Sequence, residues 1–340
     1  MHINASGGLL VSGDAKRKVK LIFEDTKNDP AEAVNALRRL VTIKGTVAII
    51  GPNTSRNAIA AASVAESIPI PMISPGSTHH KTTQNNNFVF RISYTDNQQG
   101  TYLSSFVIEK LAFDSAAILF DISRPSSRSV AESFKKAFEG KGGGIIKYLP
   151  YVTGETHFKM LITKALSDSP QIIRLPNPSS DAISQVEIAR ELSSSIVLLG
   201  SDNWGSRVFD QNANFEGHFY SDHWHPSIAE YDTQNKIFVR QYEAEFGVIP
   251  ESVSALTYDA LSVLFSAIES SGTESHTLRD AIIATDLTNG ITGRITFNDG
   301  GDPEKKPMIL MVQNQQSQVY RWDSKNRGNA VISNSIDSHP

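Results

Sequence analysis

The chain has 340 residues, 39% apolar and 20% charged, with a formal net charge of −4. That length suits two domains with substantial cores, and the mild negative charge without a long basic run argues against nucleic acid or an anionic membrane surface as partner. It has no cysteine, which excludes disulfides, thiolate metal sites and a cysteine nucleophile, and no apolar run reaches the ~18 residues of a membrane-spanning helix.

Val19–Phe23 is a short apolar run that predicts a strand. Asp29-Pro30 then supplies a helix cap and a proline for the first helical position, and Ala33, Val34, Leu37, Leu40 and Val41 recur at helical spacing. Val47–Ile50 is a second strand, closed by Gly51-Pro52. Ser55 opens an alanine-rich helix to Ser67, and Ile70–Ile73 is a third strand ending in Ser74-Pro75-Gly76-Ser77-Thr78. From Ala116 the pattern repeats. Strands are expected at Ala116–Phe120, Ile145–Leu149, Gln171–Leu175 and Ile196–Leu199, with helices at Ser129–Glu139, Phe158–Leu166 and Ser180–Leu192. Val253–Ser270 reads as a long helix, and Thr292–Asn298, Pro307–Val312 and Gln318–Trp322 as antiparallel closing strands. Strands that are apolar throughout and alternate with helices predict an α/β fold with a parallel sheet covered on both faces.

In such sheets ligands bind beyond the C-terminal strand ends, where helix N-termini present free N–H groups. Three strand ends qualify: Gly51–Ser55, Ser74–Thr78 and Gly200–Trp204. The first two offer hydroxyls and backbone donors for a carboxylate; the third offers the carboxylate of Asp202 for an ammonium, with Trp204 beside it. The competing reading of each segment is ordinary turn and capping chemistry, which favours the same residue types.

The segments IIGPNTS (Ile49–Ser55), IPMISPGST (Ile70–Thr78), GETHF (Gly154–Phe158), LLGSDNW (Leu198–Trp204), TYDAL (Thr257–Leu261) and GITGRITFNDGGD (Gly290–Asp302) occur in this order. Together they resemble a type I periplasmic solute-binding protein of the branched-chain amino acid (Leu/Ile/Val-binding) family, over roughly Ile3 to Trp322. The resemblance implies two Rossmann-like lobes joined by a three-strand hinge and closing on a ligand in the cleft between them. Residues 1–114 and 247–307 would form lobe one, 115–246 and 308–322 lobe two, and 323–340 a polar tail.

Carried over by position, Thr54 and Ser55 match residues that hold the ligand α-carboxylate. Ser77 and Thr78 match those that hold the α-carboxylate and α-ammonium, and Asp202 matches the acid that binds the ammonium. Asn203 stands where a backbone contact is made, and Val253 where a side-chain contact is frequent. The turn Asp121–Ser127 and the strand end Pro176-Asn177-Pro178 lack the aromatics usual in the family, so the pocket wall is expected to be smaller or more polar. Trp204 would replace part of that aromatic surface, and Arg124 either reaches an acidic group on the ligand or stays solvated. Ile3–Gly8 resembles the end of the family's first helix, so the first strand of lobe one looks absent.

Other conspicuous residues have plainer readings beside the functional ones. His218, His223 and His225 lie close in sequence, and His223 and His225 would share a strand face, which suits a metal only if a third ligand joins them. His79-His80 border the expected cleft or simply start a helix. Gly140–Gly144 precedes a strand, so it is a turn and not a phosphate loop. Asp96 is expected to cap a helix. No G-x-S-x-G elbow or placed carboxylate pair points to an enzyme, and no cofactor or metal is implied. The expected role is capture of an amino acid or related small polar solute for the permease of an ABC importer, in the periplasm or outside the cell, although no signal sequence is recognisable in the chain. The alternative is a ligand-sensing module of the same fold, with a homodimer through Pro30–Ile43.

Overall fold

The computed structural model describes residues 3–13, 15–205 and 212–321. Trp322, at the end of an expected strand, and the expected tail 323–340 lie outside the described residues. The chain opens with a small antiparallel hairpin, β1 (Leu9–Val11) and β2 (Ala15–Arg17). Helix α1 (Pro30–Thr42) follows, with Asp29 accepting the Glu32 N–H at 2.9 Å and Pro30 at the first helical position. Strand β3 (Ile49–Ile50), α2 (Ser55–Ser67), β4 (Met72–Ser74) and β5 (Val89–Arg91) complete the first half. The three strands form one parallel sheet in the order β3-β4-β5, in register Ile49↔Met72↔Val89. Ala58, Ala61, Ala62 and Ala65 form the buried face of α2, small enough to let the helix lie close to the sheet and to Leu37 of α1.

The second half begins with α3 (Asp96–Ser105) and β6 (Ser115–Asp121). Then come α4 (Pro125–Gly140), β7 (Gly144–Tyr151), α5 (Phe158–Leu166), β8 (Ile172–Leu175), α6 (Ser179–Leu192), β9 (Val197–Gly200) and β10 (Phe219–Asp222). The chain returns through α7 (Thr233–Phe246), α8 (Ser252–Ser271), α9 (Ser275–Ile283), β11 (Asp286–Leu287) and β12 (Ile295–Thr296), and ends in β13 (Met308–Gln313) and β14 (Gln316–Val319). The larger sheet has the order β14-β13-β10-β9-β8-β6-β7; β10 through β7 are parallel, while β13 pairs antiparallel to β10 and to β14. Strand β6 is buried from Ala116 to Asp121, as a strand covered on both faces must be.

The chain passes between the two sheets at residues 92–95, 223–232 and 304–307. Its helices do not divide as the sequence suggests. Helix α3, through Leu103, and the π-helical turn that continues it (Phe106–Lys110), through Phe106 and Val107, pack on the larger sheet. Helix α7 joins α8 through Trp224, Phe238, Ala255 and Ile291, so it lies beside the smaller sheet's helix and not with residues 115–222.

One expected strand is corrected. Val19–Phe23 forms no strand, and Leu21, Ile22 and Phe23 are exposed, Phe23 by 85%. An isolated apolar run becomes a strand only if a neighbour takes its N–H and C=O groups. Strand β3 is an edge strand, and among the described residues none pairs with its outer side. The closing strands also shift. Ile295–Thr296 pairs with Asp286–Leu287 as a separate two-stranded sheet, and the last strand starts at Gln316.

Candidate functional site

The C-terminal ends of both sheets meet at one cleft, a cavity of about 160 Å³. From the first sheet's side it is lined by Asn28, Asn53, Thr54, Ser55, Arg56, Gly76 and Thr78. The larger sheet contributes Arg124, Pro125, Ser126, Asp202, Asn203 and His223, and the start of α8 contributes Ser252, Val253 and Leu256. A larger hollow of about 400 Å³ lies beside β3, between α1, Ile49-Ile50 and Thr54. It touches the first sheet's chemistry only at its rim and has no carboxylate of the second sheet in its wall.

Helix α2 enters the cleft with its N-terminus free. Thr54, its cap residue, makes no side-chain cap bond. The Asn57 and Ala58 N–H groups are taken by the Thr54 carbonyl at 3.1 and 2.9 Å, which leaves those of Ser55 and Arg56 for a ligand. The helix dipole favours an anion there. The neighbouring turn with Gly76 and Thr78 is held from below by Arg91 on β5. This buried guanidinium donates to the Ser77 and His79 carbonyls, both at 2.9 Å, and to Asp302 at 2.6 Å.

Asp202 faces this donor set from the end of β9. It accepts from the Gln99 amide at 2.5 Å, and Gln99 in turn accepts from Arg174 at 2.8 Å. Arg174 is fully buried on β8, and burial lowers its guanidinium to about 10, so it stays charged at neutral pH. Burial works to raise the Asp202 carboxyl, but His223 and Gln99 outweigh it and hold it below the usual carboxylate range. Asp202 is therefore an anion poised in a poorly solvated cleft, where a cation is attracted more strongly than in water.

Six sequence-predicted residues line the cleft: Thr54, Ser55, Thr78, Asp202, Asn203 and Val253. Ser77 and Trp204 do not. The Ser77 hydroxyl turns inward to Thr82 at 2.5 Å. Trp204 is fully buried in the larger sheet's core, between Phe215 and Tyr220, and donates its indole N–H to the Leu175 carbonyl at 3.0 Å. Gly200 admits the ring, because a Cβ there would lie 2.1 Å from it. Trp204 thus supplies core packing and no aromatic wall to the cleft.

The histidines also resolve. His223 lines the cleft, its Nε2 3.7 Å from Asp202 and its ring 3.9 Å from that of Tyr94. His225 is turned to Ser227 at 2.9 Å, and His218 accepts the Leu198 N–H at 3.3 Å. Among the described residues no group of three metal-ligating side chains forms. His79 caps a short 3-10 turn, His80–Thr82, by accepting the Lys81 N–H. Asp96 is not the cap of α3. Thr95 is, in a capping box with Gln98, and Asp96 is buried in the first turn, where burial pushes its carboxyl up to about 6. Asn28, Asn53 and Ser252 are lining residues that sequence reasoning missed. Asn53 lay within a segment already singled out, but Asn28 and Ser252 carry no local signal.

A family model described as periplasmic binding protein matches residues 1–323. The chain is 23% identical over 336 residues to a Pseudomonas aeruginosa "Amino acid binding protein", covering 96% of this chain and 83% of that one. The crystal structure of a leucine binding protein, LivK, from Thermotoga maritima is 27% identical with a TM-score of 0.85, covering 94% of this chain and 91% of that one. The Streptococcus pneumoniae branched-chain amino acid transporter substrate binding protein LivJ, solved with isoleucine, is 25% identical with a TM-score of 0.83, covering 94% and 90%.

Proposed function

Because the chain belongs to the periplasmic binding protein family, we propose that it is the solute-binding component of an ABC importer and captures an α-amino acid in the cleft between its two sheets. It is a binding protein and not an enzyme. Proteins of this family act in the periplasm or outside the cell and hand their ligands to a membrane permease. The sensor reading is not favoured, since the relatives and neighbours with assigned roles are amino acid-binding and transporter proteins.

One observation carries the ligand class. A single cavity is lined on one side by a free helix N-terminus with Thr54, Ser55 and Thr78, and on the other by the buried Asp202. A zwitterion fits that polarity: its carboxylate meets the N–H groups of Ser55 and Arg56, and its ammonium meets Asp202. Because the two half-sites sit on different sheets, a ligand that engages both favours approach of the two lobes about the three crossings. Asn203 and Val253 would contact the remainder of the ligand. The test is a thermal-shift screen of the twenty amino acids and their deaminated counterparts. An amino acid at about 1,000 times its Kd should stabilise the fold by roughly 4 kcal/mol, with the deaminated acid far weaker. Stabilisation by the deaminated acids alone would defeat this reading.

A further inference from the structure

We propose that the cleft is built for an amino acid with a second acidic group, such as glutamate or aspartate, and that Arg124 with the N-terminus of α4 receives the side-chain carboxylate. The inference rests on the amino acid reading above and names the side chain that the ligand carries.

The lining chemistry points this way. Among the described residues of the wall, only Pro125, Val253 and Leu256 are apolar with any bulk, so a leucine side chain would be surrounded mostly by amide, hydroxyl and guanidinium groups. The charged liners are Arg56, Arg124 and Asp202, and Arg124 is backed by the buried carboxylate of Asp121 at 3.2 Å.

The geometry at Arg124 is prepared for an anion. Arg124 precedes α4 as its cap residue and makes no side-chain cap bond. Its Nε is fixed by the fully buried Asp121 at 3.2 Å, while Asp121 also accepts from Ser123 at 2.8 Å and from Thr153 at 2.5 Å. Arg124 lines the cavity with its side chain 40% exposed, and its two Nη groups, which suit bidentate carboxylate binding, make no hydrogen bond among the described residues. Beyond Pro125, which has no N–H, the first free backbone donor of α4 is Ser126, itself a lining residue.

His223 is the independent pointer to a ligand. Its side chain is only 5% exposed and borders the same cavity; Nε2 faces Asp202 at 3.7 Å, too far for a hydrogen bond, and neither ring nitrogen has a hydrogen-bond partner among the described residues. A buried imidazole is costly to leave unsatisfied, and a ligand acid between His223 and Arg124 would satisfy it.

The experiment is calorimetric titration of the wild-type chain and of Arg124→Gln with L-glutamate, L-aspartate, L-glutamine, L-leucine and succinate. The wild type should bind glutamate or aspartate at least tenfold more tightly than glutamine and leucine. Arg124→Gln should weaken the acidic ligand at least tenfold and move glutamine by less than threefold, with an unchanged melting temperature showing that the variant folds. Arg124→Lys, which keeps the charge but loses the fork, should fall between. Leucine or glutamine binding as tightly as the acidic amino acids, or equal losses for glutamate and glutamine in Arg124→Gln, would overturn the proposal while leaving the amino acid reading intact. Succinate matching glutamate would overturn the amino acid reading instead.

Discussion

At the residue level, the cleft places a few charges where solvent cannot dilute them, and each is held by a named partner. Asp202 is oriented by Gln99, which Arg174 orients in turn, so the proposed ammonium partner is already fixed. The same burial sets the pH dependence of the fold. Burial lowers His79 and His225 to about 4 and His218 to about 3. A base depressed in the folded state contributes stability that is present above the unfolded value near 6.5 and lost as pH falls towards the folded value. Burial raises Asp96 and Asp222 to about 6, which acts oppositely, favouring the fold below about 4 and losing that benefit as pH rises through 6. The histidines are more numerous and further displaced, so the melting temperature should fall between pH 7 and 4.5, and His218→Gln should reduce that fall. A melting temperature that climbs on acidification would show the buried acids to dominate. The lining of the candidate cleft was partly legible at this scale. Asp202, Thr54, Ser55 and Thr78 follow strand ends whose composition announces them. Trp204 and Ser77 occupy equally promising positions but turn inward, since Gly200 opens room for the indole and Thr82 stands beside the Ser77 hydroxyl. Neither neighbour can be inferred from local spacing. His223 was not singled out for the cleft, because among neighbouring histidines it reads as a surface or core residue until Tyr94 and Asp202 are seen beside it.

Among the elements, the contrast between α1 and the segment before it is instructive. Both carry several apolar residues, yet α1 buries a whole face of them while the earlier segment packs only Val19 and leaves Leu21, Ile22 and Phe23 exposed. Leu37 is 2% exposed, against Ile49 and the alanines of α2, whereas Phe23 is 85% exposed. Leu37→Ala should cost about 2–5 kcal/mol in denaturant unfolding, and Phe23→Ser less than about 0.5 kcal/mol. A loss of several kcal/mol from Phe23→Ser would mean that Val19–Phe23 is packed as a core strand after all. Periodicity reports what an element would bury, not whether a partner is present. That is why several helices were legible, Phe158–Leu166 with both bounds, though α4 begins at Pro125 rather than Ser129 and α7 and α9 were not expected, while a strand that depends on a neighbour was not. The same dependence explains α7. Its sequence gives no sign that Phe238 meets Trp224, Ala255 and Ile291, a contact made only once the chain has crossed back.

For the whole molecule, the proposed function follows from a cavity whose wall is divided between two sheets. Apolar strands alternating with helices made the parallel sheets legible, and their C-terminal ends could be named in advance. The position of the crossings could not, because α3 and α7 are assigned to a side by packing rather than by their place in the chain. The free α2 N-terminus with Thr54, Ser55 and Thr78 on one side, and Asp202 on the other, form complementary halves that only a bridging ligand satisfies together. The central claim is that this ligand is an α-amino acid whose ammonium is held by Asp202. Its most direct test is calorimetric titration of the wild type and Asp202→Asn with the tightest-binding amino acid. Asparagine preserves shape but removes the charge, and an ammonium left without its buried counter-charge should lose roughly 2–5 kcal/mol of binding. Affinity should be at least 30-fold weaker in Asp202→Asn with the cooperative unfolding transition retained; unchanged affinity in that folded variant would refute a role for Asp202 in holding the ammonium.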